Sequence, residues 1–72
     1  MDRLLDARGL VCPLPLLKAR EALTAIASGD VLVVLATDPE APVDLGALAA
    51  DGGHGFAAEP EGPGWRLRIV KR

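Results

Sequence analysis

The 72-residue chain contains one cysteine, one tryptophan, one phenylalanine and no tyrosine. A single thiol excludes an internal disulfide, and no paired His/Cys spacing points to zinc or another metal. With so few aromatics, the core must rest on aliphatic side chains. The chain can supply them, because half of it is hydrophobic. There is no run of about eighteen apolar residues and no basic-then-apolar leader, so no membrane span is expected. The expectation is a soluble, cytoplasmic protein, in a reducing compartment that keeps a lone thiol free. No phosphate-cradling glycine loop and no Ser/His/Asp set is present, and no cofactor is expected. A formal net charge of -2 argues against nucleic acid as a direct ligand. Seventy-two residues make one domain, 1–72, and a chain of this size buries only about 60% of its unfolded surface.

The charge is unevenly spread. From Ala25 to Glu61 there are seven acids and no Lys or Arg, and from Gly62 onward there are four bases and no acids. Solvated loops around an ordinary strand account for this. So does a surface with acidic and basic sides that orients protein partners.

Arg3 to Asp6 reads as a short strand and Ala7 to Val11 as a loop. Pro13 to about Ala27 reads as a helix, with Leu16, Ala19, Leu23 and Ile26 as its buried stripe. Gly29 is suited to a left-handed cap beyond it. Val31 to Thr37 is β-branched and apolar on both faces, as a central strand should be. Asp38-Pro39 turns the chain. A weaker helix follows from about Leu45 to Asp51, with Asp44 as its N-cap and Gly46 as an internal weakness of about 1 kcal/mol relative to alanine. Gly55 to Glu59 and the alternating Trp65 to Val70 form an antiparallel hairpin across a Pro/Gly-rich turn. The order β-α-β-α-β-β makes the first two strands parallel across a crossover. The predicted fold is α+β: a two-layer α/β sandwich, a four-stranded mixed sheet with two helices on one face. The other face is open and carries Arg66 and Arg68.

Cys12 lies immediately before Pro13-Leu14-Pro15. Proline fixes φ near -65° and lacks an N–H, which costs little in the first turn of a helix. The pair therefore defines a helix start and places Cys12 at the N-cap. The positive end of the helix dipole there favours thiolate over thiol. Proline removes some capping donors, leaving the Leu14 N–H, so the expected lowering of the thiol pKa is moderate. That suits an attacking thiol, which works best with a pKa near ambient pH. Arg8 and Lys18 are candidates for added positive potential. Without that context, a lone cysteine reads as a small buried hydrophobe.

The stretch LDARGLVCPLPLLKAREAL, residues 5 to 23, resembles the TusA-like (SirA/YedF-like) sulfur-carrier proteins. It carries their Asp-x-x-Gly-x-x-Cys-Pro-x-Pro pattern as Asp6, Gly9, Cys12, Pro13 and Pro15, followed by Lys18. ATDPEAPVDL (residues 36 to 45) resembles the family's second signature through Thr37, Asp38, Pro39 and Asp44. GHGF (53 to 56) resembles its Gly-His segment. The chain departs from the family in having Gly46 where many relatives have proline, and in lacking the later second cysteine that some carry.

The resemblance implies the same fold and a persulfide carrier. Cys12 would take sulfane sulfur from a donor protein, either a pyridoxal-phosphate cysteine desulfurase or a rhodanese-type protein. It would pass the sulfur to an acceptor protein serving tRNA thiolation, molybdenum cofactor assembly or sulfur metabolism. A lone thiol fits that chemistry, since a neighbouring thiol would discharge the persulfide as a disulfide. Pro13 and Pro15 would set the helix start. Asp6, Arg8, Gly9, Lys18 and Asp38 would support the loop or its electrostatics. Asp38 would cap a turn with Thr37 and Pro39, and His54 would be a loop residue. Whether such a carrier counts as an enzyme is open, and a monomer or weak dimer is expected. Two other classes compete. One is a non-catalytic binding or regulatory module with Cys12 as a structural helix cap. The other is a peroxide-sensing thiol.

Overall fold

The alternation of apolar and polar residues becomes a sheet with one buried face. The computed structural model describes residues 2–72. The elements are β1 (Asp2–Ala7), α1 (Leu14–Thr24), β2 (Val31–Ala36), α2 (Ala41–Asp51), β3 (Gly55–Glu61) and β4 (Gly64–Val70). The four strands form one sheet in the order β1-β2-β4-β3. β1 and β2 run parallel, with Asp2 opposite Val31 and Ala7 opposite Ala36. β4 runs antiparallel to both β2 and β3. This is the predicted mixed sheet, with β2 central.

Leu32 and Val34 of β2, Leu67 and Ile69 of β4, and Leu45 of α2 are the largest fully buried side chains. Each such burial contributes about 1.5–3 kcal/mol. Ala19, Ala22 and Leu23 bring α1 onto the same core, and Ala41 and Ala49 bring α2. Both helices therefore lie on one face. The other face is open: Leu4 and Arg68 flank Val33, and Asp6 and Arg66 flank Leu35. Val33 is buried there without a layer above it. Arginine stems are able to cover apolar surface in this way. Arg66 is held by Glu61 at 3.0 Å, and Trp65 packs half-buried at the core edge.

Several boundaries differ from the sequence expectation. α1 starts one residue later, because the Leu14 N–H donates to the Val11 carbonyl (2.9 Å) across a turn that spans Cys12 and Pro13. Pro13 is thus the N-cap, Pro15 lies in the first turn, and Cys12 precedes the cap. α1 also ends earlier, at Thr24, whose hydroxyl donates to the Glu21 carbonyl. Gly29 takes a positive φ of 92°, but in the loop beyond the helix, where its N–H reaches the Lys71 carbonyl.

α2 gains a turn at its start. Its N-cap is Glu40, not Asp44, and Pro42 sits in its first turn. The predicted start at Leu45 overlooked how well Ala41-Pro42 suits a first turn, where a missing N–H costs nothing. Gly46 faces Phe56: a Cβ there would lie 3.3 Å from that ring. β3 runs through Pro60 to Glu61, which an edge strand tolerates.

Candidate functional site

In a sheet whose first two strands are parallel, the loops leaving their C-terminal ends lie side by side, a common location for sites in α/β folds. Here these loops are residues 8–13 after β1 and 37–40 after β2. Two side chains from the second loop fasten the first. The Thr37 hydroxyl accepts the Gly9 N–H at 3.0 Å. The Asp38 carboxylate accepts the Cys12 N–H through Oδ2 and the Glu40 N–H, at 3.0 Å, through Oδ1. Asp38 thus caps the turn into α2, as expected, and also anchors the backbone that carries the thiol. Gly9 itself takes a φ of 82°, a conformation that glycine reaches without strain.

Asp6 braces the base of the loop. Its carboxylate accepts the Arg8 N–H at 3.1 Å and the guanidinium at 2.9 and 2.8 Å. These bonds hold the Asp6 carboxyl at a pKa of about 2, well below the ordinary range. Arg8 is therefore engaged with Asp6. Lys18 lines a separate depression with Arg3, Leu5 and Glu21. Neither residue brings positive charge to the thiol.

Cys12 is a free, exposed thiol. Its surroundings reverse the electrostatic expectation. A hydrogen bond to the Asp44 carboxylate, followed by desolvation and the negative charges of Asp44, Asp38 and Glu40, pushes its pKa up. The dipole argument fails for two reasons. Cys12 lies outside the cap, and the Leu14 N–H assigned to its sulfur is spent on Val11. Carboxylates at the head of α2 are favourable for that helix, and they stand against the thiol.

Asp44 and Glu40 are the site residues that sequence reasoning missed. The available signal was the acid-rich TDPEAPVD segment directly after a strand parallel to the one preceding Cys12. On the segment that carries the thiol and at the head of α2, Val11, Leu14, Leu17 and Val43 leave 66%, 44%, 46% and 67% of their surfaces exposed. At the far ends of the helices, Arg20, Leu48, Asp51, His54 and Lys71 line a groove of about 430 Å³. His54 is occupied in a terminal contact, its Nδ1 accepting the Arg72 N–H at 3.0 Å.

Fold and site define a small two-layer α+β protein that displays one thiol at the head of its first helix. The family model described as Sulfurtransferase TusA matches residues 3–71, and the chain belongs to that family. It is 46% identical over 71 residues to the sulfur carrier protein TusA of Allochromatium vinosum, spanning 99% of this chain and 93% of that protein. It is 34% identical over 71 residues to the sulfur carrier protein TusA of Pseudomonas entomophila, spanning 99% and 89%. The crystal structure of the SirA-like protein from Desulfitobacterium hafniense superposes with a TM-score of 0.86 at 29% identity, covering 97% of this chain and 96% of that one.

Proposed function

We propose that this chain is a sulfur carrier that holds sulfane sulfur as a persulfide on Cys12 and relays it between proteins. The Cys12 thiolate attacks the outer sulfur of a donor persulfide. A new S–S bond forms to Cys12, the donor's own S–S bond breaks, and the donor cysteine leaves as a thiolate. An acceptor thiolate then attacks the outer sulfur of Cys12–S–S⁻, and Cys12 departs as the leaving thiolate. No net oxidant is consumed. The donor is a cysteine desulfurase or a rhodanese-type protein, and the carrier works in the cytoplasm as a single domain.

The observation that carries this reading is the exposed Cys12 on a loop tied at Gly9 and Cys12 to the side chains of Thr37 and Asp38. An anchored, accessible nucleophile loses little conformational freedom when it meets a second protein's sulfur. The competing reading, in which Cys12 merely caps a helix, has no comparable support, since α1 carries no side-chain cap bond.

The test is loading. Reduced protein is incubated with a cysteine desulfurase, pyridoxal phosphate and L-cysteine, or with a rhodanese and thiosulfate. Intact mass is then recorded without reductant. A gain of one sulfur that dithiothreitol reverses and Cys12→Ser abolishes is expected. No gain from either donor defeats the carrier reading.

A further inference from the structure

An exposed apolar patch rimmed by charge of one sign marks an interaction surface and indicates what meets it. Apolar side chains are exposed on the acidic segment at the head of α2 and on the segment that carries the thiol. Val11 precedes it, and Leu14 and Leu17 stand one turn apart on α1, where a surface helix would ordinarily expose polar residues. Val43, in the first turn of α2, is next to Asp44. Their exposure cannot be ascribed to a lack of core, because Ala19, Leu23, Leu45 and Ala49 on the same helices are buried.

The charge around this patch is uniform among the described residues. Asp38, in the turn after β2, accepts the N–H groups of both Cys12 and Glu40; Glu40 is the N-cap of α2 and Asp44 lies in its first turn. On the preceding loop Arg8 is turned to Asp6. On α1 the first charged residue, Lys18, lines a depression with Arg3 and Glu21. Among the described residues, no Lys or Arg forms an ion pair with Asp38, Glu40 or Asp44.

We propose that the surface around Cys12 docks a protein partner whose reactive sulfur is flanked by Arg or Lys and by apolar side chains, and that seating this cation among Asp38, Glu40 and Asp44 is what releases Cys12 to react. The inference rests on the carrier reading and deepens it. In the free protein, the carboxylates of Asp44, Asp38 and Glu40 oppose a negative charge on the thiol. A partner's guanidinium or ammonium offsets those acids and favours the thiolate, while apolar contacts over Val11, Leu14, Leu17 and Val43 exclude water and strengthen the ion pairs. The carrier is then quiet between partners and nucleophilic within a complex. This protects the thiol from small oxidants, since the thiolate is the reactive form.

The experiment uses small disulfides as probes of the field, with the full chain. Cystamine is a dication, 2-hydroxyethyl disulfide is neutral and dithiodiglycolate is a dianion. In each case the Cys12 thiolate attacks one probe sulfur, a mixed disulfide forms and the other half leaves as a thiolate. Rates are divided by those of N-acetylcysteine amide, which removes the probes' intrinsic differences. The normalised preference for cystamine over the neutral probe should be about tenfold, at the lower end of what focused surface fields do to association rates. It should shrink in high salt. Asp44→Asn should raise the rate with the neutral probe and reduce the charge preference several-fold.

Glu40→Gln, on an exposed side chain that makes no cap bond, should act in the same direction without a folding risk. Asp51→Asn, with the same charge change at the far end of α2, should do neither. Equal normalised rates for all three probes would overturn the proposal. So would an Asp51→Asn effect as large as that of Asp44→Asn. If Cys12 loads persulfide normally while showing no charge preference, the docking proposal falls and the carrier reading stands. If Cys12 loads from no donor, the carrier reading falls first.

Discussion

The Asp38 carboxylate grips the backbone of Cys12, its Oδ2 accepting the Cys12 N–H across 26 residues of chain while Oδ1 accepts the N–H of Glu40. One side chain thus ties the loop after β1 to the start of α2, and the position of the thiol depends on both.

Asp38→Ala removes both bonds. At about 1 kcal/mol for each bond lost, the variant should lose about 2 kcal/mol in urea denaturation. Its persulfide loading should fall by more than stability explains, because the loop is released. Asp38→Asn keeps an acceptor oxygen and should sit between the two. Wild-type loading by a stably folded Asp38→Ala would show that the anchor is dispensable.

Asp6 makes acid stability pH-dependent. Its pKa is held near 2 by Arg8, below that of an ordinary unfolded carboxyl near 3.9. Between these values the unfolded chain binds more protons, so stability rises with pH across the window. The contribution of this pair is present above about pH 4 and is lost as pH falls toward 2. Thermal midpoints measured over this range should fall less in Asp6→Asn than in the wild type. Parallel curves would assign no role to the pair.

Gly64 occupies a position no other residue fits. It is buried at the start of β4, and a Cβ there would overlap the Ala36 carbonyl oxygen and lie 2.9 Å from the Thr37 Cα. Backbone cannot yield as a side chain does, so Gly64→Ala should cost about 3 kcal/mol. Because Thr37 and Asp38 follow directly, the variant should also load sulfur more slowly under conditions where it remains folded. A denaturation midpoint equal to the wild type would contradict this packing.

Gly46 presents the opposite case. Its Cβ would meet the edge of the Phe56 ring at 3.3 Å, and that ring is 38% exposed with room to shift. The helix-propensity gain of about 1 kcal/mol should then prevail in Gly46→Ala. A rise of about 4 °C or more in the thermal midpoint is expected for a domain of this size. A fall would mean that Phe56 is fixed more tightly than its exposure suggests.

The element order and the mixed sheet were legible because period-two and helical patterns are local properties, written in VLVVLAT, WRLRIV and the spacing of Ala19 and Leu23. Cys12 was legible as a candidate too, since a lone thiol before Pro-x-Pro is a sequence feature. Boundaries were less legible. The head of α2 was missed because its first turn, Ala41-Pro42-Val43-Asp44, has no strong apolar period. The head of α1 slipped by one residue because the Leu14 N–H had a nearer acceptor in Val11.

By itself the sequence determined a small aliphatic-core α+β domain with one thiol placed at a rigid helix start. Only the tertiary structure decided the character of that thiol. The parallel pairing of β1 with β2 sets the loop carrying Cys12 beside the loop carrying Asp38 and the head of α2 carrying Glu40 and Asp44. Coulombic and hydrogen-bond effects act through space over a few ångströms. Carboxylates 26 and 32 positions away along the chain therefore oppose a negative charge on the thiol.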